Sequence, residues 1–248
     1  MSEVLFERRN GLAVITLNRP EKLNSLTISM FKELSAYIEI IEKSPEEFGC
    51  VLLRGAGKCF SAGHDLKQIN DNETMPSPNF EPLIVERLAN MPPPLVVAVH
   101  SHCYTGALEL ALAGDIILAS ENAIFADTHG KWGMSPFWGM SQRLPRRIGR
   151  AKAAEMMFTS ATVPGPEAAR IGLANKCFPN ASFESDVEAF CRSILDNIWF
   201  SHRANKHLMM NTDGMSLAAG LAHEVFHHPG VDSRMHERIS GFLKRGSD

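Results

Sequence analysis

Residues 94–120 read PLVVAVHSHCYTGALELALAGDIILAS. The runs LVVAV (95–99) and DIILA (115–119) are rich in Val, Ile and Leu, as strands covered on both faces are. Between them Gly106 opens a run of good helix formers, ALELALA. A strand, a helix and a second strand in so short a span make a crossover, which parallel neighbours require. LAVITL (12–17) and CVLLR (50–54) are runs of the same kind. From 27 to 43, Ile28, Phe31, Leu34, Ile38 and Ile41 recur at helical spacing, and Thr27 stands where an N-cap belongs. The chain therefore reads as α/β, built largely from parallel strands. Beyond about residue 150 the strand signals fade, and 183–198, 203–211, 215–227 and 233–244 read as helices. The segment 70–82, NDNETMPSPNFEP, carries three prolines and predicts a mobile loop over a site.

The chain of 248 residues is long enough for a sizeable core, and its 44% hydrophobic and 21% charged residues are those of a folded globular protein. A net charge of −3 gives no electrostatic reason to expect nucleic acid or an anionic membrane as partner. No stretch approaches the ~18 apolar residues of a membrane span, and MSEVLFERRNG lacks the apolar run of a signal peptide. A cytoplasmic location is expected. The cysteines, at 50, 59, 103, 177 and 191, never form CxxC and suggest buried thiols rather than a disulfide framework or zinc knuckle.

Several motifs invite chemistry and fall short. RGAGKCFSAGHD has Phe60 where a dinucleotide fingerprint needs glycine and Leu52 where a phosphate loop needs one. HEVFHHPG sets His223, Glu224 and His227 as HExxH, the pattern of zinc peptidases. Its extended form finds Gly230 but then Ser233 in place of a third histidine. His100 and His102 alternate at a strand end without a third ligand.

Two junctions share a chemical logic. KCFSAGHDL follows the strand at 50–54, and its Ala62–Gly63 step allows a tight turn with exposed N–H groups. YTGALELALAGD follows the strand at 95–99, and Gly106 places its N–H at a helix start. Both lie at the carboxyl ends of strands, where open α/β sheets bind ligands. Two such N–H groups converging on one oxygen would make an oxyanion hole, with Glu109 one helical turn beyond Gly106 facing the same space. Tight turns beside a solvated glutamate are the alternative.

At these residues the chain resembles the enoyl-CoA hydratase/isomerase, or crotonase, superfamily. The likeness runs through VITLNRPEKLNSLT (14–27), GKCFSAGHDL (57–66), residues 94–120, QRLPRRIG (142–149), MMFTSATVPGPEAARIGLANKCFP (156–179) and GLAHE (220–224). It implies a spiral core of ββα turns over 1–195, and a helical region over 196–248 that packs homotrimers, often paired as hexamers. It implies an acyl-CoA substrate and no cofactor or metal besides. The N–H groups of Ala62 and Gly106 would hold the thioester oxygen as an enolate forms. Lys22, Leu23, His64, Asp65, Leu66, Phe242 and Lys244 match CoA- and substrate-contacting positions.

Hydratases of the family use two glutamates. Glu109 matches the first, and His129, in FADTHGKWG, stands where the second belongs. Imidazole titrates near neutrality and can replace a carboxylate as acid or base. The resemblance thus implies hydration of an enoyl-CoA or the reverse dehydration. An isomerase of the superfamily is a further alternative, though His129 in place of the second acidic residue counts against it; a CoA-thioester or β-diketone hydrolase using His129 is the stronger rival, and an HExxH peptidase a remote one. His64 after SAG is similar to the superfamily's decarboxylases, but Pro136 stands where their tyrosine would be, which leaves His64 as a residue beside the CoA chain. Trp132, Phe137 and Trp138 are candidates for narrowing the acyl pocket.

Overall fold

The computed structural model describes residues 2–71 and 74–245. Residues 72 and 73 of the expected loop, and 1 and 246–248 at the two termini, lie outside them. The elements in chain order are β1 (Val4–Arg9), β2 (Leu12–Leu17), α1 (Ile28–Lys43), β3 (Cys50–Gly55), α2 (Leu66–Asn70), α3 (Phe80–Asn90), β4 (Leu95–Val99) and β5 (His102–Tyr104). Next come α4 (Gly106–Ala111), β6 (Ile116–Ser120), β7 (Ile124–Ala126), α5 (His129–Trp132), α6 (Met140–Ile148), α7 (Arg150–Thr159), β8 (Val163–Pro164), α8 (Gly165–Arg170) and β9 (Lys176–Phe178). Four helices close the chain: α9 (Phe183–Leu195), α10 (Trp199–Thr212), α11 (Leu217–His227) and α12 (Met235–Arg245).

The main sheet has the order β1-β2-β3-β4-β6-β9, and every pairing in it is parallel except the hairpin β1–β2. A smaller sheet, β5-β7-β8, stands beside it. The apolar runs are continuous because both faces of the large sheet are covered. Ile15, Leu53, Val97 and Ile117 point into a core shared with Phe31, Leu34 and Ile38 of α1. Val14, Leu52, Val96 and Leu118 point the other way, against Phe183, Val187 and Cys191 of α9. Thr27 caps α1 as its sequence position foretold, accepting from the Met30 N–H.

The short strands β5, β8 and β9 run only two or three residues and were absent from the sequence reading. Their length is too small for any periodicity to register. The helical C-terminal third is as expected. Among the described residues, no helix is long and apolar enough to cross a membrane.

α10 is fastened to the sheet by one ion pair. Lys206, buried, donates to Asp115 Oδ2 at 2.7 Å and to the Pro93 carbonyl at 3.2 Å, while Asp115 Oδ2 also accepts from the Leu95 N–H at the start of β4. Burial pushes the Lys206 pKa down, against the pull of Asp115. Lys206→Met would remove both ammonium bonds and leave the Asp115 carboxylate, which solvent reaches, with the Leu95 N–H alone, so a loss of about 1–2 kcal/mol is expected in urea unfolding.

Candidate active site

The turn at 60–65 is clamped against the turn at 23–26. Asn24, fully buried, donates from its amide to the Ala56 and Cys59 carbonyls, and Ser61 Oγ donates to the Asn24 carbonyl. The backbone then pairs in alternation: Ala62 N–H donates to the Leu23 carbonyl at 2.9 Å, Leu26 N–H to Gly63 and Asp65 N–H to Leu26. Leu26 thus bonds the residues on either side of His64, in a parallel bridge that turns the His64 N–H itself away from that turn, and this N–H meets no protein acceptor among the described residues. This corrects the sequence reading, which gave Ala62 as the donor; the Ala62 N–H is already committed.

The second turn comes to the same point. Thr105 sits at φ 52°, ψ −110°, a conformation costing a β-branched residue roughly 1–3 kcal/mol. Three bonds hold it there: its N–H donates to the Ala126 carbonyl, its Oγ1 accepts from the Thr128 N–H, and its hydroxyl meets the Thr128 hydroxyl. The strain aims the Gly106 N–H, likewise without a protein acceptor among the described residues, out of the start of α4. Contact between the turns requires both glycines. A Cβ on Gly63, at φ +103°, would stand 2.7 Å from the Tyr104 carbonyl oxygen, and one on Gly106 would stand 3.4 Å from His64 N and 2.7 Å from Trp138 Cζ3.

Three titratable side chains, all under 9% exposed, are brought together by α4 and the turn from β7 into α5: Glu109, His129 and Asp127. Glu109 Oε1 accepts from the Trp138 N–H at 2.8 Å and the Met140 N–H at 3.0 Å. That leaves Oε2 to react, 3.7 Å from His129 Nε2. The other imidazole nitrogen, Nδ1, is 2.6 Å from Asp127 Oδ1, which also accepts the His129 N–H at 3.1 Å in a local Asx turn. The pairing sets the proton on Nδ1 and turns Nε2 toward Glu109.

Burial raises the Glu109 pKa, opposed by the Met140 and Trp138 N–H groups and by His129. Burial alone would lower that of His129, but the hydrogen bond and charge of Asp127, with the charge of Glu109, outweigh it and leave the value raised. Both groups are thus held above their ordinary values, with Oε2 and Nε2 facing each other.

A cavity of about 250 Å³ borders both turns, lined by Ala62, Gly63, His64, Leu66, Tyr104, Thr105, Thr128, Lys131 and Trp132 among others, while Gly106, Glu109 and His129 lie outside its lining. Lys22 and Leu23 are exposed in the adjoining turn. Asp65 turns its carboxylate inward to Arg19, Ser25 and the Lys67 N–H. The His64 ring bonds through Nε2 to buried Glu81 at 3.0 Å. Phe242 and Lys244 are not brought here: they border a separate hollow on α12. The tempting histidines are elsewhere too. His223 and His227 stack at 4.1 Å on α11, His102 stacks on Tyr104, and His100 meets the Gly57 carbonyl. Among the described residues, no three His, Cys, Asp or Glu side chains are placed to hold a metal ion.

Sequence reasoning did not single out Asp127, the bond from the Trp138 N–H to Glu109 or the unspent N–H of His64; of Trp138 it saw only a candidate for narrowing the acyl pocket. Asp two residues before His at a strand end was the available signal for the first, as a local Asx turn is readable. The other two depend on contacts between distant segments.

A model of the enoyl-CoA hydratase/isomerase family matches residues 7–247. A protein of Mycobacterium tuberculosis named as a probable enoyl-CoA hydratase is 29% identical over 245 residues, 98% of this chain and 95% of its own. Among solved structures, an enoyl-CoA hydratase from Bacillus anthracis matches with a TM-score of 0.91 at 26% identity, covering 98% of this chain and 96% of that one. A Thermobifida fusca protein assigned as an enoyl-CoA hydratase, solved in complex with acetoacetyl-CoA, matches with a TM-score of 0.80 at 25% identity, over 91% and 92% of the two chains.

The Asp127 contact yields a test independent of any substrate. Asp127→Asn removes the charge that holds the imidazolium, so the His129 pKa is expected to fall, below its ordinary value if burial then dominates. An NMR titration of the His129 Cε1 proton reads the shift, and an unmoved value would remove Asp127 from the account.

Proposed function

Because the chain belongs to the enoyl-CoA hydratase/isomerase family, we propose that it adds water across the 2,3-double bond of an enoyl-CoA thioester, or runs the reverse dehydration. The observation that carries this is the facing pair, Glu109 Oε2 and His129 Nε2 at 3.7 Å, with Glu109 on the helix that starts at Gly106, one of two unspent N–H donors, the other being His64. A water at the apex of that pair can reach both groups at hydrogen-bond distance. Glu109 takes one of its protons as the oxygen adds to Cβ, and the imidazolium gives a proton from Nε2 to Cα. The electron pair passes through an enolate whose oxygen lies between the His64 and Gly106 N–H groups. Such donors, aimed where charge develops, are each worth about 3–4 kcal/mol. Afterwards Glu109 holds the proton that His129 lacks, and transfer between them resets the site. The CoA ester's own carbonyl is the electron sink, so no separate cofactor is called for.

The mouth of the cavity suits the CoA arm, with Lys22, Leu23 and Leu66 at its rim and Lys131 in its wall. The hydrolase reading finds less support, since the relatives above are named as hydratases. Leu217, Leu221 and Phe226 of α11 and Met209 of α10 are exposed, and we assign their cover to further copies of the chain, a trimer or a pair of trimers. In that assembly Phe242 and Lys244 would serve another copy's site. The free cysteines fit a reducing, cytoplasmic setting.

Purified protein is expected to bleach the conjugated thioester absorbance of crotonyl-CoA; release of free CoA instead would favour the hydrolase. Glu109→Gln should lower kcat at least about a hundredfold, and retention within a few-fold would refute its role as base. The pH profile of hydration should be a bell. It rises as Glu109 loses its proton, above the ordinary carboxylate range, and falls as His129 loses its own, above the ordinary imidazole value.

A further inference from the structure

We infer that the indole of Trp138 is the wall at the acyl end of the site and restricts the substrate to short acyl groups, a proposal that rests on the acyl-CoA reading above. With the thioester oxygen between the His64 and Gly106 N–H groups, the carbonyl carbon has two other substituents to place. Sulfur leaves by the cavity that borders both turns. Cα must then lie against Glu109 Oε2 and His129 Nε2, 3.7 Å apart.

The third side of that space is Trp138. Its N–H bonds Glu109 Oε1, its ring centroid is 5.4 Å from that of His64, and its Cζ3 lies 2.7 Å from where a Gly106 Cβ would be. A chain continuing past Cβ runs into this ring.

The ring cannot easily swing aside. The peptide is held at both ends, by Glu109 and by Arg143 Nη1 on the Trp138 carbonyl at 2.8 Å. Phe31 of α1 packs edge-on against the indole at 4.9 Å, and the side chain is 6% exposed. Behind it lies a cleft of about 730 Å³ between α3, α6 and α10, bordered by Pro82, Phe137, Gln142 and Met209 as well as by Trp138 itself. The indole is thus a partition between the reacting groups and a space large enough for a longer chain.

The test is chain-length dependence, by turnover of trans-2-enoyl-CoAs of about four, eight and twelve carbons and by calorimetric binding of the matching saturated acyl-CoAs. A blocked methylene costs about tenfold or more, so kcat/KM and affinity should both fall at least about tenfold from the shortest to the eight-carbon ester. Trp138→Ala should raise the ratio of eight-carbon to four-carbon kcat/KM by at least about tenfold. Trp138→Leu carries the same comparison if the alanine variant does not fold. Equal use of all lengths by the unaltered protein, or an unchanged ratio in the variants, overturns the wall while leaving hydration standing. Length-dependent binding without hydration of any ester would instead sink the hydratase reading and keep the wall. Failure to bind any CoA ester would remove both.

Discussion

One carboxylate oxygen organises this site. Glu109 Oε1 accepts the N–H groups of Trp138 and Met140, residues that follow it by 29 and 31 positions. The two bonds do three things at once. They fix which oxygen of Glu109 is left to react and partly offset the cost of burying its charge. They draw the segment between α5 and α6 against the start of α4. They also seat the indole over Gly106, where only a residue without a Cβ leaves room. Position 106 therefore has to serve two partners, the donor geometry toward His64 and the clearance toward Trp138.

The architecture was legible in the sequence wherever one physical cause acts over several residues. Strands covered on both faces must be apolar throughout, so β2, β3, β4 and β6 announced themselves, and α1 carried both its apolar stripe and its cap. β5 carries no such pattern. It and β7 are each three residues long, and their role is to hand the chain to the turns that hold Thr105 and Asp127. Glu109 was readable because one helical turn separates it from Gly106. The donor beside it was misread by two residues, from Ala62 to His64. Direction along an extended segment is set by its partner, here the turn at 23–26, and no local signal in SAGHD reports that pairing. Trp138 was visible as an aromatic residue, but its place depends on Phe31, His64 and Glu109, which come from three separate elements or turns.

His129 and Asp127 have to be understood together. A neutral carboxylic acid could face Glu109 without adding charge. An imidazolium in the same place brings a positive charge into a buried site, and burial opposes it. Without Asp127, burial would pull the His129 pKa down with less to oppose it. With Asp127 on Nδ1, the value is raised instead, and Nε2 is the nitrogen left facing Glu109. The same Asp127 oxygen accepts the His129 N–H, so one side chain fixes both the backbone turn and the tautomer. The imidazole we propose as acid has its counter-ion two residues away in D-T-H. That proposed acid is therefore a local unit of three residues, whereas the proposed base, Glu109, is fixed by peptide groups some thirty positions along the chain.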